Sequence, residues 1–308
     1  IDLVRMSVGR AARLTALQSE QLPVTQSALV IGGGPSGMTA ALSLANQGFT
    51  VHLVEKEDQL GGRLAPGALR DKLAASVDKH PLIHTYRASK VSSLKGHVGN
   101  FGSEVKTPDG IKLVSHGIVL VASGGTEYVP TEYLYGKDNR VITQRELEAT
   151  LAEGKLDLPA NATVAMIQCV GSRNEERPFC SRRCCKEAVV NAIRLKEQRP
   201  EANVVVLYRD MRTYGASELF YQKAREMGVL FMRYDPERPP EVTGGDKLKL
   251  KFVDPDLGLP ASLSVDLLAL STGISPAASN EETSELAKIP INADGFFLEA
   301  HVKLRPVD

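Results

Sequence analysis

The order of elements between Ser27 and Glu55 constrains the fold more than any other feature of the chain. Ser27–Ile31 (SALVI) is a short apolar β-type run, and Gly32-Gly33-Gly34-Pro35-Ser36-Gly37 follows it at once. A helical pattern (Met38–Gln47) comes next, then Gly48, then a second strand, Phe49–Val54, ending at Glu55. Gly32 allows the tight turn, Gly34 lets the backbone approach a pyrophosphate, and Gly37 lets helix and strand pack closely. The helix start at Pro35 and Ser36 presents free N–H groups and partial positive charge to phosphates. Glu55, with Lys56 beside it, stands where a ribose would be held. A plain glycine turn would explain the glycines but not the strand, helix, strand and acid around them.

All four cysteines fall in one short segment, Gln168–Lys186 (QCVGSRNEERPFCSRRCCK). It follows the apolar run Ala162–Ile167 and leads into a helical pattern, Cys184–Glu197. Three site types compete for Cys169, Cys180, Cys184 and Cys185. A structural disulfide pair is disfavoured by the lack of an apolar signal segment and by a reducing compartment. Zinc usually takes two C-x2-4-C knuckles, whereas the spacings here are ten residues, three residues and none. Adjacent Cys184 and Cys185 are awkward on one small ion, yet neighbouring thiolates can bind different corners of an iron–sulfur cube. Arg173, Arg177, Arg182 and Arg183 would favour thiolates and offset the charge of a thiolate-ligated cluster. These residues favour a [4Fe-4S] cluster.

The same segment carries a family resemblance. C-V-G-S-R-N-E-E-x-P-x-C-S-R-x-C-C resembles the cluster segment of the A-type subunits of heterodisulfide reductase and their relatives. The likeness runs from IDLVRMSVGRAARL through LVIGGGPSGMTAALSLANQGF to DGFFLEAHVKLRPVD, essentially the whole chain. It implies an iron–sulfur flavoprotein in which the four cysteines ligate a [4Fe-4S] cluster. Glu55 to Arg63 (EKEDQLGGR) is similar to the E-x-x-x-x-x-G-G segment of two-dinucleotide-binding flavoproteins. That likeness implies FAD at the fingerprint, with Gly61, Gly62 and Arg63 near its pyrophosphate and ribityl chain; a plain Gly-Gly loop is the alternative. Ser123-Gly124 and Thr272-Gly273 match strand-end turns that lie near the flavin in the same superfamily. The family's C-x2-C-x2-C ferredoxin-like runs do not occur in the 308 residues, and its segment closing over the FAD would follow residue 308. The lack of ferredoxin-like runs favours the shorter, sulfur-oxidation type.

The expected fold is α/β: two Rossmann-like dinucleotide-binding units of the thioredoxin reductase type, with antiparallel β-meanders and an N-terminal helix. Residues 1–25 form the helix and linker, 26–140 and 265–308 the FAD-binding domain, and 141–264 a second Rossmann-like domain. The N-terminal helix, over 1–22, is short and weakly basic, so it is expected to pack on the body or on a partner rather than on a membrane. Residues 87–122 and 241–270 read as β-meanders. The second unit follows a helical connector over 141–158. It reads as a strand over 162–168, a helix over 184–197, a strand over 203–209, a helix over 216–227 and a strand over 229–234. Gly171 is the sole glycine in its first turn, so the cysteine segment stands where a nicotinamide site would need a second fingerprint. Tyr128, Tyr133 and Tyr135 read as surface packing, with covering a flavin as the alternative, and His301 and Lys303 as solvated.

Lys plus Arg and Asp plus Glu both number 37, so no net charge points to nucleic acid or an anionic membrane. No apolar run approaches the roughly 20 residues of a membrane span. No G-x-S-x-G elbow or metal-like histidine spacing occurs. The expected function is electron transfer between FAD and the cluster, with no acid–base side chain essential. The expected setting is a cytoplasmic, homodimeric component of a heterodisulfide-reductase-like complex with B- and C-type subunits and a small electron carrier, acting on a thiol/disulfide or sulfur compound. An NAD(P)H-dependent disulfide reductase of the thioredoxin reductase type needs an exchangeable C-x-x-C-like pair and a second fingerprint, and neither is found. A cluster-bearing scaffold with a vestigial FAD site is the third reading.

Overall fold

A computed structural model describes residues 1–15, 21, 23–64, 67–256 and 258–298 of the chain. His301 and Lys303 lie outside those residues. Helix α1 (Asp2–Ala11) buries none of its residues, and Leu3, Val4, Met6 and Val8 are exposed. It is shorter than the sequence pattern predicts and does not pack on the body.

The first unit starts with β1 (Ser27–Ile31), α2 (Pro35–Asn46) and β2 (Thr50–Val54). Helix α3 (Ala68–Lys79) and strand β3 (Ile83–Tyr86), which the sequence pattern leaves unassigned, extend it. The predicted meander is β4 (Lys90–His97), β5 (Asn100–Thr107) and β6 (Gly110–His116), antiparallel throughout. The chain then returns through β7 (Ile118–Val121) to a four-stranded sheet of order β3-β2-β1-β7, whose pairings are all parallel. On one face, Val30, Val51 and Leu53 pack with Met38, Ala41 and Ala45 of α2. On the other, Leu29 and Val54 meet Val91, Val105 and Val114 of the meander. Both faces are covered, which is why β1 and β2 read as apolar runs rather than alternating ones.

A two-stranded antiparallel ribbon, β8 (Gly125–Glu127) against β17 (Ile274–Pro276), carries the chain out to the second unit and back. Between them, β9 (Val141–Thr143) and α4 (Gln144–Glu153) replace the predicted 141–158 connector. Thr143 and Glu146 cap α4 reciprocally, each side chain bonding the other's backbone N–H, and Gly154 in the left-handed region ends it. Then follow β10 (Thr163–Val170), α5 (Cys184–Gln198), β11 (Asn203–Tyr208), α6 (Ser217–Glu226) and β12 (Leu230–Arg233). Strands β13 (Glu241–Thr243), β14 (Leu248–Asp254) and β15 (Leu259–Val265) form the second meander, and β16 (Leu267–Thr272) closes the unit.

The second sheet has order β12-β11-β10-β16-β9 and is parallel throughout. This corrects the predicted boundary at residue 265, because β16 lies between β10 and β9 rather than with the first sheet. Its six residues are all buried, a run that only the centre of a covered sheet accommodates. The return to the first unit comes after Thr272. There α7 (Asn280–Ala287) and the following segment pack back on the first unit, with Leu286 against the meander core.

On β2, His52 stacks on His84 at 5.3 Å, and its Nδ1 lies 3.3 Å from the Tyr86 hydroxyl. Burial, followed by the charges of His84 and His116, lowers its pKa from 6.5 to about 4. The unfolded chain therefore takes up this proton first as pH falls. The contribution to stability is complete above 6.5 and is lost toward pH 4. Urea unfolding at neutral and mildly acidic pH should show a smaller acid loss for His52→Gln than for wild type; equal losses would refute the assignment.

Candidate functional site

The carboxyl ends of β1, β2 and β7 open on a cleft of about 990 Å³. Open α/β sheets place ligands at such an edge. Of the residues expected to hold a dinucleotide, Gly32, Gly34, Pro35, Ser36, Glu55, Lys56, Gly62, Arg63, Ser123 and Gly124 line it. Gly37 does not; it lies in α2 against the Gly32 carbonyl, with no room for a Cβ. Gly61 sits under the Arg70 side chain and donates to the Gly33 carbonyl at 2.9 Å. Glu55 braces the loop from within: Oε2 accepts from Gly33 N–H at 2.5 Å and Oε1 from Glu57 N–H at 2.9 Å. Gly34 faces open space, since a Cβ there would meet nothing within 4 Å.

The far wall comes from elements that the glycine motif does not announce. Ser123 Oγ donates to Asn280 Oδ1 at 2.8 Å, and Asn280 donates to the Gly295 carbonyl, which folds residues 292–298 over the opening. Phe296 meets Phe179 edge-on at 5.2 Å, and both line the cleft together with Cys180, Ser181, Arg182 and Arg183. The cysteine segment is thus a wall of the glycine-loop cleft.

That segment leaves β10 through an irregularity between Ile167 and Val170, with Cys169 at φ 64°. Arg173 and Arg182 are left-handed too. Strain of this kind persists where surrounding contacts over-determine the backbone, and the contacts are visible. Ser172 Oγ donates to the Phe179 carbonyl at 2.8 Å, and Arg177 Nε to the Gly171 carbonyl at 2.7 Å. The Arg177 guanidinium lies 4.2 Å from the centre of the Tyr128 ring, which occupies the space a side chain at Gly171 would need. Tyr128, Tyr133 and Tyr135 pack against the second core, the packing role read for them. Asp210 bridges Arg173 and Arg212.

All four cysteines are free thiols, and Cys184 and Cys185 open α5 as buried residues. Burial above all, then the charge on Cys169, pushes Cys184 up to about 12. Burial likewise pushes Cys185 up to about 11. Burial raises Cys169, against the pull of Arg173. Each thiol lies within electrostatic reach of the other three. Among the described residues, no three His, Cys, Asp or Glu side chains stand in a metal-ligating arrangement. The donor set nonetheless suits a thiolate-ligated cluster. Beside Cys169, both polar side-chain atoms of Gln168 are buried without a partner among the described residues, an arrangement that is costly unless an acceptor or water meets it.

Thr272 and Gly273 face this centre rather than the cleft. The Cys184 thiol donates to the Thr272 carbonyl at 3.1 Å, and the Thr272 hydroxyl donates to Glu127 at 2.6 Å. Gly273 packs on Gly171 and Ser172. Phe179, Phe296, Asn280 and Glu127 carry no signal in the sequence, because lone aromatic and polar residues far apart in the chain form no local pattern.

The two glycines make a test. Gly37→Ala should cost on the order of 1–3 kcal/mol, since α2 must move off β1. Gly34→Ala should stay within about 0.5 kcal/mol yet lower the dinucleotide retained per chain. Thermal melts and cofactor analysis check both, and equal stability losses would contradict the geometry.

An NAD(P)-binding Rossmann-like domain family matches residues 30–94. The chain is 32% identical to an A-type iron-sulfur subunit (the second of that name) of the CoB–CoM heterodisulfide reductase of Methanopyrus kandleri. It is 30% identical to the A-type subunit of the H(2):CoB-CoM heterodisulfide,ferredoxin reductase of Methanothermobacter thermautotrophicus. Each match covers 100% of this chain and 62% of the relative, so the chain spans about three fifths of the length of these relatives. The alignments run over 411 and 415 positions, so within the matched span the relatives carry segments that this chain lacks. Among solved structures, T. acidophilum thioredoxin reductase is 18% identical at a TM-score of 0.54, over 88% of this chain and 83% of that one. Lactococcus lactis thioredoxin reductase is 19% identical at 0.53, over 88% and 84%. The solved structures speak for the fold alone, and the sequence match makes the chain similar, over its whole length, to three fifths of the A-type subunits of heterodisulfide reductase.

Proposed function

We propose that this chain is an electron-transferring oxidoreductase component that carries FAD in the cleft and a [4Fe-4S] cluster on Cys169, Cys180, Cys184 and Cys185. The observation that carries the reading is the shared wall: Cys180 to Arg183 line the same cleft as Gly32 to Ser36. FAD exchanges electrons in pairs or singly, and a cluster takes them singly. The chain's own residues do the rest. Gly32, Gly34 and the α2 N-terminus receive the pyrophosphate, and Glu55, already braced on the loop, faces the adenosine ribose. Phe179 and Phe296 exclude water at the other end. Gln168 supplies an amide beside Cys169, and Arg173 supplies positive charge to the thiolates.

In the A-type role, the chain would work with B- and C-type partners and a small electron carrier, as a homodimer, on a thiol/disulfide or sulfur compound. The relatives are named for CoB–CoM heterodisulfide, so the proposal does not extend to the sulfur-oxidation type. No helix among the described residues is long and apolar enough to cross a membrane. The disulfide-reductase reading is weaker: burial of Cys184 and Cys185 works against their thiolate forms, and the thiolate is the nucleophile in disulfide exchange.

Anaerobically purified protein should show about four irons per chain together with bound FAD in its visible spectrum and cofactor analysis. Cys184→Ala should lose the iron and keep the flavin. Iron retained by that variant would remove Cys184 from the ligand set, and flavin without iron in wild type would return the cysteines to thiol chemistry.

A further inference from the structure

Arg63 and Glu127 form a pair that neither the glycine fingerprint nor the cysteine segment requires. Arg63 Nη2 lies 3.3 Å from Glu127 Oε2, and each side chain is 16% exposed. The other Glu127 oxygen accepts from the Thr272 hydroxyl at 2.6 Å, and the Thr272 carbonyl accepts from the Cys184 thiol at 3.1 Å. Glu127 ends β8, the strand that leaves the first unit for the second. One carboxylate therefore ties together a cleft residue, the connecting ribbon and the cysteine centre.

Arg63 is itself incompletely met. It lines the cleft, and its Nε is buried with no partner among the described residues. A buried N–H of a cation is an unfilled position for an acceptor. Its place along the cleft follows from its neighbours. A dinucleotide with its phosphates at the α2 N-terminus and its adenosine ribose at Glu55 reaches toward Cys180 and Phe179 with its other end. Arg63, tied through Glu127 to the residue that holds Cys184, belongs to that end.

We propose that Glu127 is a positioning residue, clamping Arg63 at the ring end of the cleft, and that the pair sets the reduction potential of the flavin; this rests on the reading of the cleft as a flavin site. A reduced flavin carries more negative charge than an oxidised one. The guanidinium therefore favours reduction, the carboxylate offsets it, and low local dielectric magnifies both effects.

The test uses the full chain, purified anaerobically with its flavin and equilibrated with a reference dye of known potential. Glu127→Gln keeps the size and the acceptor for Thr272 but removes the negative charge. It should raise the reduced-to-oxidised flavin ratio about tenfold at fixed solution potential, about 30 mV for a two-electron couple. Arg63→Gln should shift the ratio in the opposite direction. Opposed shifts at unchanged iron content support the pair as a tuning device, since a purely structural role gives no reason for opposite signs. Unchanged potentials in flavin-loaded variants would overturn the inference while leaving the flavin reading intact. Loss of flavin from both variants would also overturn it, making the pair a binding element. Wild type without flavin would overturn the reading beneath it, and flavin content alone shows this before any potential is measured.

Discussion

The cysteine segment is bonded to the ribbon that joins the two Rossmann-like units, and the arrangement of the site depends on that attachment. Ser181 Oγ accepts from Ile274 N–H at 2.8 Å, and the Cys184 thiol donates to the Thr272 carbonyl at 3.1 Å. Tyr128, one residue past β8, donates its N–H to the Gly273 carbonyl and lays its ring on Gly171. The long turn between β10 and α5 is thereby folded toward the first unit instead of hanging at the end of its own sheet. This brings Cys180 to the rim of a cleft built by residues some 150 positions earlier in the chain.

Electrostatics and burial oppose one another within that turn. Burying Cys184 and Cys185 at the start of α5 makes their charged forms costly, and four thiols gathered together make one another's ionisation harder. Arg173 works against this at Cys169. A bound cluster of positive irons would reverse the balance, as metals do for coordinating thiols. Without such a partner, the same burial favours the protonated thiols at Cys184 and Cys185.

Much of the fold was legible because its signals are local. β1, the glycine turn, α2 and β2 sit within three residues of their expected ends, since a covered parallel strand must be apolar and the turn must be glycine-rich. In the second unit β10, α5, β11, α6 and β12 lie where the periodicity places them, whereas β9 falls in a stretch that reads as helical connector. The failures were of two kinds. Helix α3 lacks a strong apolar stripe, with Val77 its sole buried residue, and α1 buries nothing. The boundary at 265 failed because β15 and β16 are separated by Asp266 alone. The chain passes there from a meander into the centre of a parallel sheet with no further turn or linker residues between the two strands.

The sequence by itself determined a dinucleotide turn at Gly32 to Gly37 and a thiol centre at Cys169 to Cys185, because each is a local arrangement of residue types with few physical uses. Tertiary structure alone decided that the two share a cleft. It turned Thr272 and Gly273 toward the thiols, closed the opening with Phe296 and Asn280, and placed Glu127 between Arg63 and Thr272. Those relations depend on contacts between residues 64 to 157 positions apart. A pairing across that distance arises from how two sheets and a ribbon pack, and neither partner's local sequence encodes it.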